Sequence, residues 1–280
     1  MKKNVYILAA VTVLMIASVS GCKKKEDVDL TGIHTSSAET MSPTTAAENE
    51  KKEPEITITE SSTAAEKEGD NDNTGSSQAL SVRSKTATEK NGKTSVEYPV
   101  LSNLRDSAME ETVNAVIKEH ALRPLTDYEL NPETDTLEVT YSIISLDRNK
   151  AVIAYEGSFM LDGGAHPVGL FYTTNIDLNK GTLTGLSDYA DSYTMAGYIL
   201  SDDCVVYQPA DSSPEVKAAL KEYDIDTLWA ILRQCDFSAE GLTGFPQSFS
   251  YENQGVIYIS VPVSHALGDY VIVSYTPDTK

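Results

Sequence analysis

Aromatic side chains are missing from a long stretch of this chain. Between Tyr6 and Tyr98 there is no Phe, Tyr or Trp, so 20 of the 21 aromatics lie from Tyr98 onward. Core-forming material is therefore confined to the last two-thirds of the 280 residues, a length that allows one or two domains. Cysteine is scarce. Three in the whole chain exclude a disulfide-dense small domain and any zinc site built from four cysteines. Positive charge is scarce too, with 22 Lys and Arg against 42 Asp and Glu and a formal net charge of -20. A nucleic-acid-binding function is excluded on that ground, because phosphate binding needs concentrated positive charge and so acidic a chain is repelled by DNA and RNA.

Long apolar runs are also absent, apart from one at the start. Lys2 and Lys3 precede the apolar segment 5–19, which is short for a membrane span and ends in small residues, as a secretory signal does. The next residues, Val19-Ser20-Gly21-Cys22, resemble the lipobox of bacterial lipoproteins. That resemblance implies cleavage before Cys22 and a diacylglyceryl group on its thiol, with residues 1–21 as the signal peptide. Acyl chains such as palmitate on Cys22 give stable anchoring where a single chain is marginal. The mature chain is then expected on the extracellular face of a bacterial cell membrane, held there by the lipid.

Residues 23–92 comprise 70 positions with 20 Ser or Thr, 23 charged residues and no aromatic. Such a segment buries too little apolar surface to offset its ordering entropy, so 22–92 reads as a lipid-anchored disordered tether with a reach on the order of 45 Å. The remaining 93–280 reads as one folded domain. It carries 11 basic and 28 acidic side chains, so most of the negative charge is on its surface, where it favours encounter with cationic partners.

Within that domain, Ser107-Ala-Met-Glu110 fits a capping box leading into an apolar face of Met109, Val113, Val116, Ile117 and Ala121 at helical spacing. Segments 139–146, 151–160 and 168–178 are rich in Val, Ile, Tyr and Thr and are separated by turn sequences, which predicts an antiparallel meander. A second helical region starts at Ser213-Pro214 and changes its apolar face near Asp224 to Asp226, which predicts two short helices. Segments 249–251, 256–261 and 270–275 close the chain as strands. The expected fold class is α+β: an antiparallel sheet with packed helices, preceded by the tether.

Motifs that carry chemistry fail at named positions. Asn91-Gly-Lys-Thr94 imitates the end of a P-loop, but Ala87 stands where the first glycine belongs and no strand is expected before it. Asp70-Asn-Asp72-Asn-Thr74-Gly75 imitates an EF-hand start without the bidentate Glu, Ser81 standing there instead. No cofactor and no metal-ligand set is predicted. Of four histidines, His34 falls in the tether and His120 suits a helix C-terminus favoured by the dipole. His166 follows Asp162-Gly163-Gly164-Ala165 and precedes Pro167, a loop whose glycines permit positive φ. It reads either as a ligand or metal contact or as a turn whose His hydrogen-bonds the backbone. Ser264 and His265, in Pro262-Val-Ser-His-Ala-Leu-Gly268, form a comparable candidate. Cys204 and Cys235 either pair, closing a loop worth roughly 3 to 4 kcal/mol, or remain buried free thiols.

Tyr98-Pro99-Val100-Leu101, Asn114, Gly163-Gly-Ala-His-Pro167, Asn175-Ile-Asp177-Leu178, Leu186-Ser-Asp188 and the closing segment 255–275 together resemble an extracellular module. It occurs in RsiV-type anti-sigma factors, whose outer domain binds lysozyme, and ahead of the catalytic domain in PdaC-type peptidoglycan deacetylases. The resemblance spans about 96–276, its N-terminal part PdaC-like and its C-terminal part RsiV-like, and it implies the family fold. With no segment ahead of the signal and no deacetylase domain following, neither sigma-factor binding nor metal-dependent deacetylation is expected. Segment 262–268 departs from the family's Pro-Tyr pattern, so lysozyme binding is not carried over. The sequence thus predicts a non-catalytic recognition module at the cell wall, with peptidoglycan glycan or a basic secreted protein as partner. Its candidate contacts are Asp162, Gly163, Gly164, His166, Pro167, Ser264 and His265. Two alternatives are a hydrolase acting on wall glycan through His166, Asp162 and a metal, and an accessory subunit of a membrane protein complex.

Overall fold

The computed structural model describes the backbone of residues 55–59 and, in full, residues 81–210 and 214–277. The expected signal peptide, Cys22, His34, the EF-hand-like stretch, Ser213 and most of the expected tether lie outside the described residues. Among the described residues, seven strands form the first sheet in chain order: β1 (Glu55–Thr59), β2 (Arg83–Asn91), β3 (Thr94–Ser102), β4 (Thr136–Leu146), β5 (Lys150–Met160), β6 (Val168–Asp177) and β7 (Thr182–Leu183). Four more, β8 (Val205–Gln208), β9 (Ser250–Asn253), β10 (Val256–Pro262) and β11 (Tyr270–Tyr275), form a second sheet in the order β8-β11-β10-β9.

The α+β class holds, and the meander 139–178 appears as β4, β5 and β6 in antiparallel register. One pair departs from the antiparallel expectation: β3 and β4 run parallel. Helix α1 (Ser107–Asp127) lies between them in sequence, and a helical crossover is the connection that returns the chain in the same direction. Its cap sits one residue earlier than expected. The Asp106 carboxylate accepts from the Met109 N–H at 2.8 Å. Asn114 then ties the helix to the end of β3, its side chain both accepting from and donating to the Leu101 backbone.

The boundary at 92/93 does not survive, because β2 lies inside the supposed tether and pairs with β3 along its whole length. The P-loop-like Asn91-Gly-Lys-Thr94 is therefore preceded by a strand and is the tight turn of a hairpin. Gly92 has φ +53°, and a side chain there would run into the Pro132 carbonyl. Composition hid β2 because only its Ala87 and Thr88 are buried; its register comes from backbone pairing with β3, not from an apolar stripe.

Alternation sorts β6 into two buried faces. Tyr172 and Thr174 turn toward α1, where Tyr172 donates to the Ala121 carbonyl at 2.7 Å. Thr173 and Asn175 turn to β9, both donating to the Ser250 carbonyl at 2.8 Å. The far face of the second sheet, Ile257, Ile259, Val261, Val271 and Val273, packs on a helical layer. That layer holds α2 (Leu186–Tyr189), α3 (Ser192–Leu200), α4 (Pro214–Lys221) and α5 (Ile225–Arg233). The break near Asp224 is present, with Asp224 capping α5 through the Thr227 N–H. Helix α3 is unanticipated: Gly197 and its aromatic residues give it little helical signal, and buried Met195, Ala196 and Ile199 hold it by packing.

Candidate functional site

The loop between β5 and β6 and the turn between β10 and β11, nominated separately by sequence, meet on one exposed surface. In the first, the Gly164 N–H donates to the Leu161 carbonyl at 2.9 Å and Gly163 takes φ +75°. Asp135 fixes the loop's start by accepting the Asp162 N–H at 2.8 Å while its other oxygen accepts from Asn131. Those backbone donors hold the Asp135 carboxyl below the usual carboxylate range. In the second, a 3-10 turn over His265–Leu267 follows Ser264 and ends at Gly268, φ +98°. Ser264 caps that turn without a side-chain bond, its carbonyl accepting from Leu267.

Asp269 joins the two. Its carboxylate accepts the Gly169 N–H at 2.7 Å and lies 3.0 Å from the His265 Nδ1. The imidazoles of His166 and His265 stack with centroids 5.5 Å apart and planes 26° from parallel. Residues 161–168 and 264–266 are exposed. The backbone-binding alternative for His166 is therefore not realised: its loop is held by Asp135 and Asp269. Asp162 is not joined to either ring by a hydrogen bond, and Pro167 leads into β6. Among the described residues no three His, Cys, Asp or Glu side chains group so as to hold a metal ion.

A line of aromatic rings continues from this surface. Tyr270, next to Asp269, stacks on Phe171 at 5.4 Å, and Phe171 lies 6.5 Å from Tyr251. Tyr251 stacks on Tyr258 at 4.6 Å, and Tyr258 meets Tyr207 at 4.8 Å. Tyr207 ends the line at 50% exposure. Sequence reasoning missed Asp269 and these tyrosines; the one available signal was the repeated Tyr in the closing strands.

The remaining polar clusters are structural. His120 is not a helix C-terminal residue. It is 5% exposed, tilted against Phe237 at 4.3 Å and bonded to the Thr174 hydroxyl at 3.1 Å. Burial, helped by the Arg123 charge, pushes it down to about 4, so it is neutral. Asp236, 2% exposed, accepts from the Ser250 N–H and hydroxyl and from the Leu186 N–H, at 2.6, 2.5 and 2.9 Å. Burial raises it to about 6 against those bonds. Cys204 and Cys235 are buried free thiols, not a disulfide, and burial pushes both thiols up. A depression of ≈ 210 Å³ is lined by Asn149, Lys150, Asp177, Tyr189 and Glu252, and Lys150 pairs with Glu252 there at 2.8 Å.

No known protein family matches this chain, and no curated protein does. Two solved bacterial structures, each described as a member of the DUF3298 family, are similar to it. The one from Bacteroides fragilis has 11% identity and a TM-score of 0.41, covering 70% of this chain and 89% of its own. The one from Pseudomonas aeruginosa has 12% identity and a TM-score of 0.34, covering 64% and 81%. Likeness at this level carries no argument about a ligand or a reaction, which rests on the residues alone.

Proposed function

We propose that this chain is a lipid-anchored recognition module on the outer face of a bacterial cell membrane, binding a component of the cell wall without catalysing a reaction. The observation that carries the reading is the meeting of the His166 loop and the His265 turn through Asp269. An exposed His265 ring held by the Asp269 carboxylate, with the His166 ring stacked on it, forms a preorganised contact surface. A hydrolase reading needs further ligands or a nucleophile aligned with His166 and Asp162, and those two side chains share no hydrogen bond. Anchoring is argued from Val19-Ser20-Gly21-Cys22, and the wall as location from the resemblance to RsiV and PdaC modules.

The test is a binding assay of the full mature chain in detergent against purified wall fragments and a panel of basic secreted proteins, with wall-glycan turnover measured on the same samples. The double variant His166→Ala, His265→Ala is expected to lose about tenfold or more in binding with its melting curve unchanged. Turnover that collapses in His166→Ala while binding persists would overturn the reading in favour of a hydrolase.

A further inference from the structure

Glu156 stands in β5 opposite Phe171 of β6 and Thr140 of β4, on the face of the first sheet that the second sheet covers only in part. Its side chain is exposed, and among the described residues its carboxylate meets no cation and no hydrogen-bond donor. On the same face of β4, Glu138, Thr140 and Ser142 are also exposed. Register places Glu138 opposite Ser158, hence diagonal to Glu156 and within reach of a common ligand. On the outer face of β4, β5 and β6 the one cation is Lys150, at the far end of β5 and already paired with Glu252, so the charges around Glu156 are negative. Over this floor rises the aromatic line, with Phe171 beside Glu156 in register and Tyr251 and Tyr270 against Phe171. Burial raises both tyrosines, Tyr270 to about 12, and the Glu156 charge adds to the rise in each, behind Tyr207 and Tyr258 in the case of Tyr251.

We infer that the corner formed by Glu156 and the tyrosines Tyr270, Tyr251, Tyr258 and Tyr207 binds a protonated amino sugar of a glycan chain. An unpaired carboxylate beside aromatic rings is complementary to an ammonium group, by charge and by attraction to the ring quadrupole. The surroundings choose the bearer of that ammonium. Thr140, Ser142 and the phenol hydroxyls put several neutral hydrogen-bonding groups around the carboxylate, which suits a sugar carrying several hydroxyls per amine. A Lys or Arg side chain brings donors but no acceptor, on an apolar stem, and so cannot accept from those hydroxyls as sugar hydroxyls do. The inference deepens the recognition reading and rests on it, by naming the ligand class on the surface that continues from Asp269.

Titration calorimetry of the full mature chain in detergent, with a glucosamine tetramer, its N-acetylated counterpart and tetralysine as probes, tests it. The glucosamine tetramer is expected to bind, the N-acetylated one to bind about tenfold more weakly or worse, and tetralysine to bind more weakly than glucosamine. Glu156→Gln should weaken glucosamine binding by about tenfold or more, the loss of one charge-assisted contact. Tyr207→Ala should weaken it less. Both side chains are exposed, so unchanged melting curves are expected of both variants. Failure of the glucosamine tetramer to bind, equal affinity for the acetylated tetramer, or indifference to Glu156→Gln overturns the inference. Tighter binding of tetralysine assigns the corner to a basic protein and overturns it as well. In each of those cases the wall-fragment assay still decides whether the chain is a recognition module.

Discussion

Around Asp236 a carboxylate is enclosed and accepts from two backbone N–H groups and a hydroxyl; at Glu156 a carboxylate stands in solvent with no partner among the described residues. The histidines divide in the same way. His120 is packed against Phe237 and bonded to Thr174, while His166 touches His265 and projects from a loop. Polar groups in the seam between β6, β9 and the helical layer hold elements together, because each buried donor there must find an acceptor. Polar groups on the exposed face leave their hydrogen-bonding capacity unspent, which is what a ligand requires.

The sharpest way to break this comparison is at Asp236. Asp236→Ala strands the N–H groups of Leu186 and Ser250 and should cost about 3 kcal/mol or more in urea unfolding. A loss under about 1 kcal/mol would mean the seam is not holding the two sheets together.

A second test uses pH. Asp236 is raised to about 6 in the fold, so its contribution is complete below the ordinary Asp value and is lost as pH rises toward 6. His120 is lowered to about 4, so its contribution is complete above the ordinary His value and is lost as pH falls from 6.5 toward 4. The two slopes oppose each other in the wild-type chain. Asp236→Asn removes one of them, and stability measured between pH 4 and 6.5 should then fall on acidification more steeply than in the wild type. Equal slopes would contradict the raised value of Asp236.

At the base of the exposed loop, Asp135→Ala removes the acceptor for Asp162 and Asn131 and should lower stability in urea unfolding, with faster hydrogen exchange at the Asp162 amide. His166→Ala should change stability by less than about 0.5 kcal/mol while weakening wall binding. A larger loss would move His166 to the structural side of the comparison. Least of all, a reductant should leave the melting temperature unmoved, since Cys204 and Cys235 are free thiols.

What could be read along the chain depended on how each element is stabilised. Strands β4 to β6 and β9 to β11 and helices α1, α4 and α5 carry apolar periodicity of their own, so the pattern of Val, Ile and Tyr exposes them. Strand β2 has no such stripe and was absorbed into the polar segment before it. Helix α3 forms against Leu228 and Leu232 of α5 rather than from its own propensity. For the site, two glycine-bearing turns with histidines were each visible. Their meeting was not, because Gly169 and Asp269, which join them, are 100 residues apart.

Local chemistry therefore determined the acidic character, the α+β class and the two histidine turns, since each depends on composition or on residues a few positions apart. Tertiary structure alone decided that β3 and β4 run parallel, that His120 is neutral and buried, that the cysteines stay unpaired, and that Phe171, beside Glu156 in register, meets tyrosines of the second sheet. Those outcomes depend on which faces the strands and helices turn to one another. Burial and long-range hydrogen bonding set those faces, and no window along the chain contains both partners.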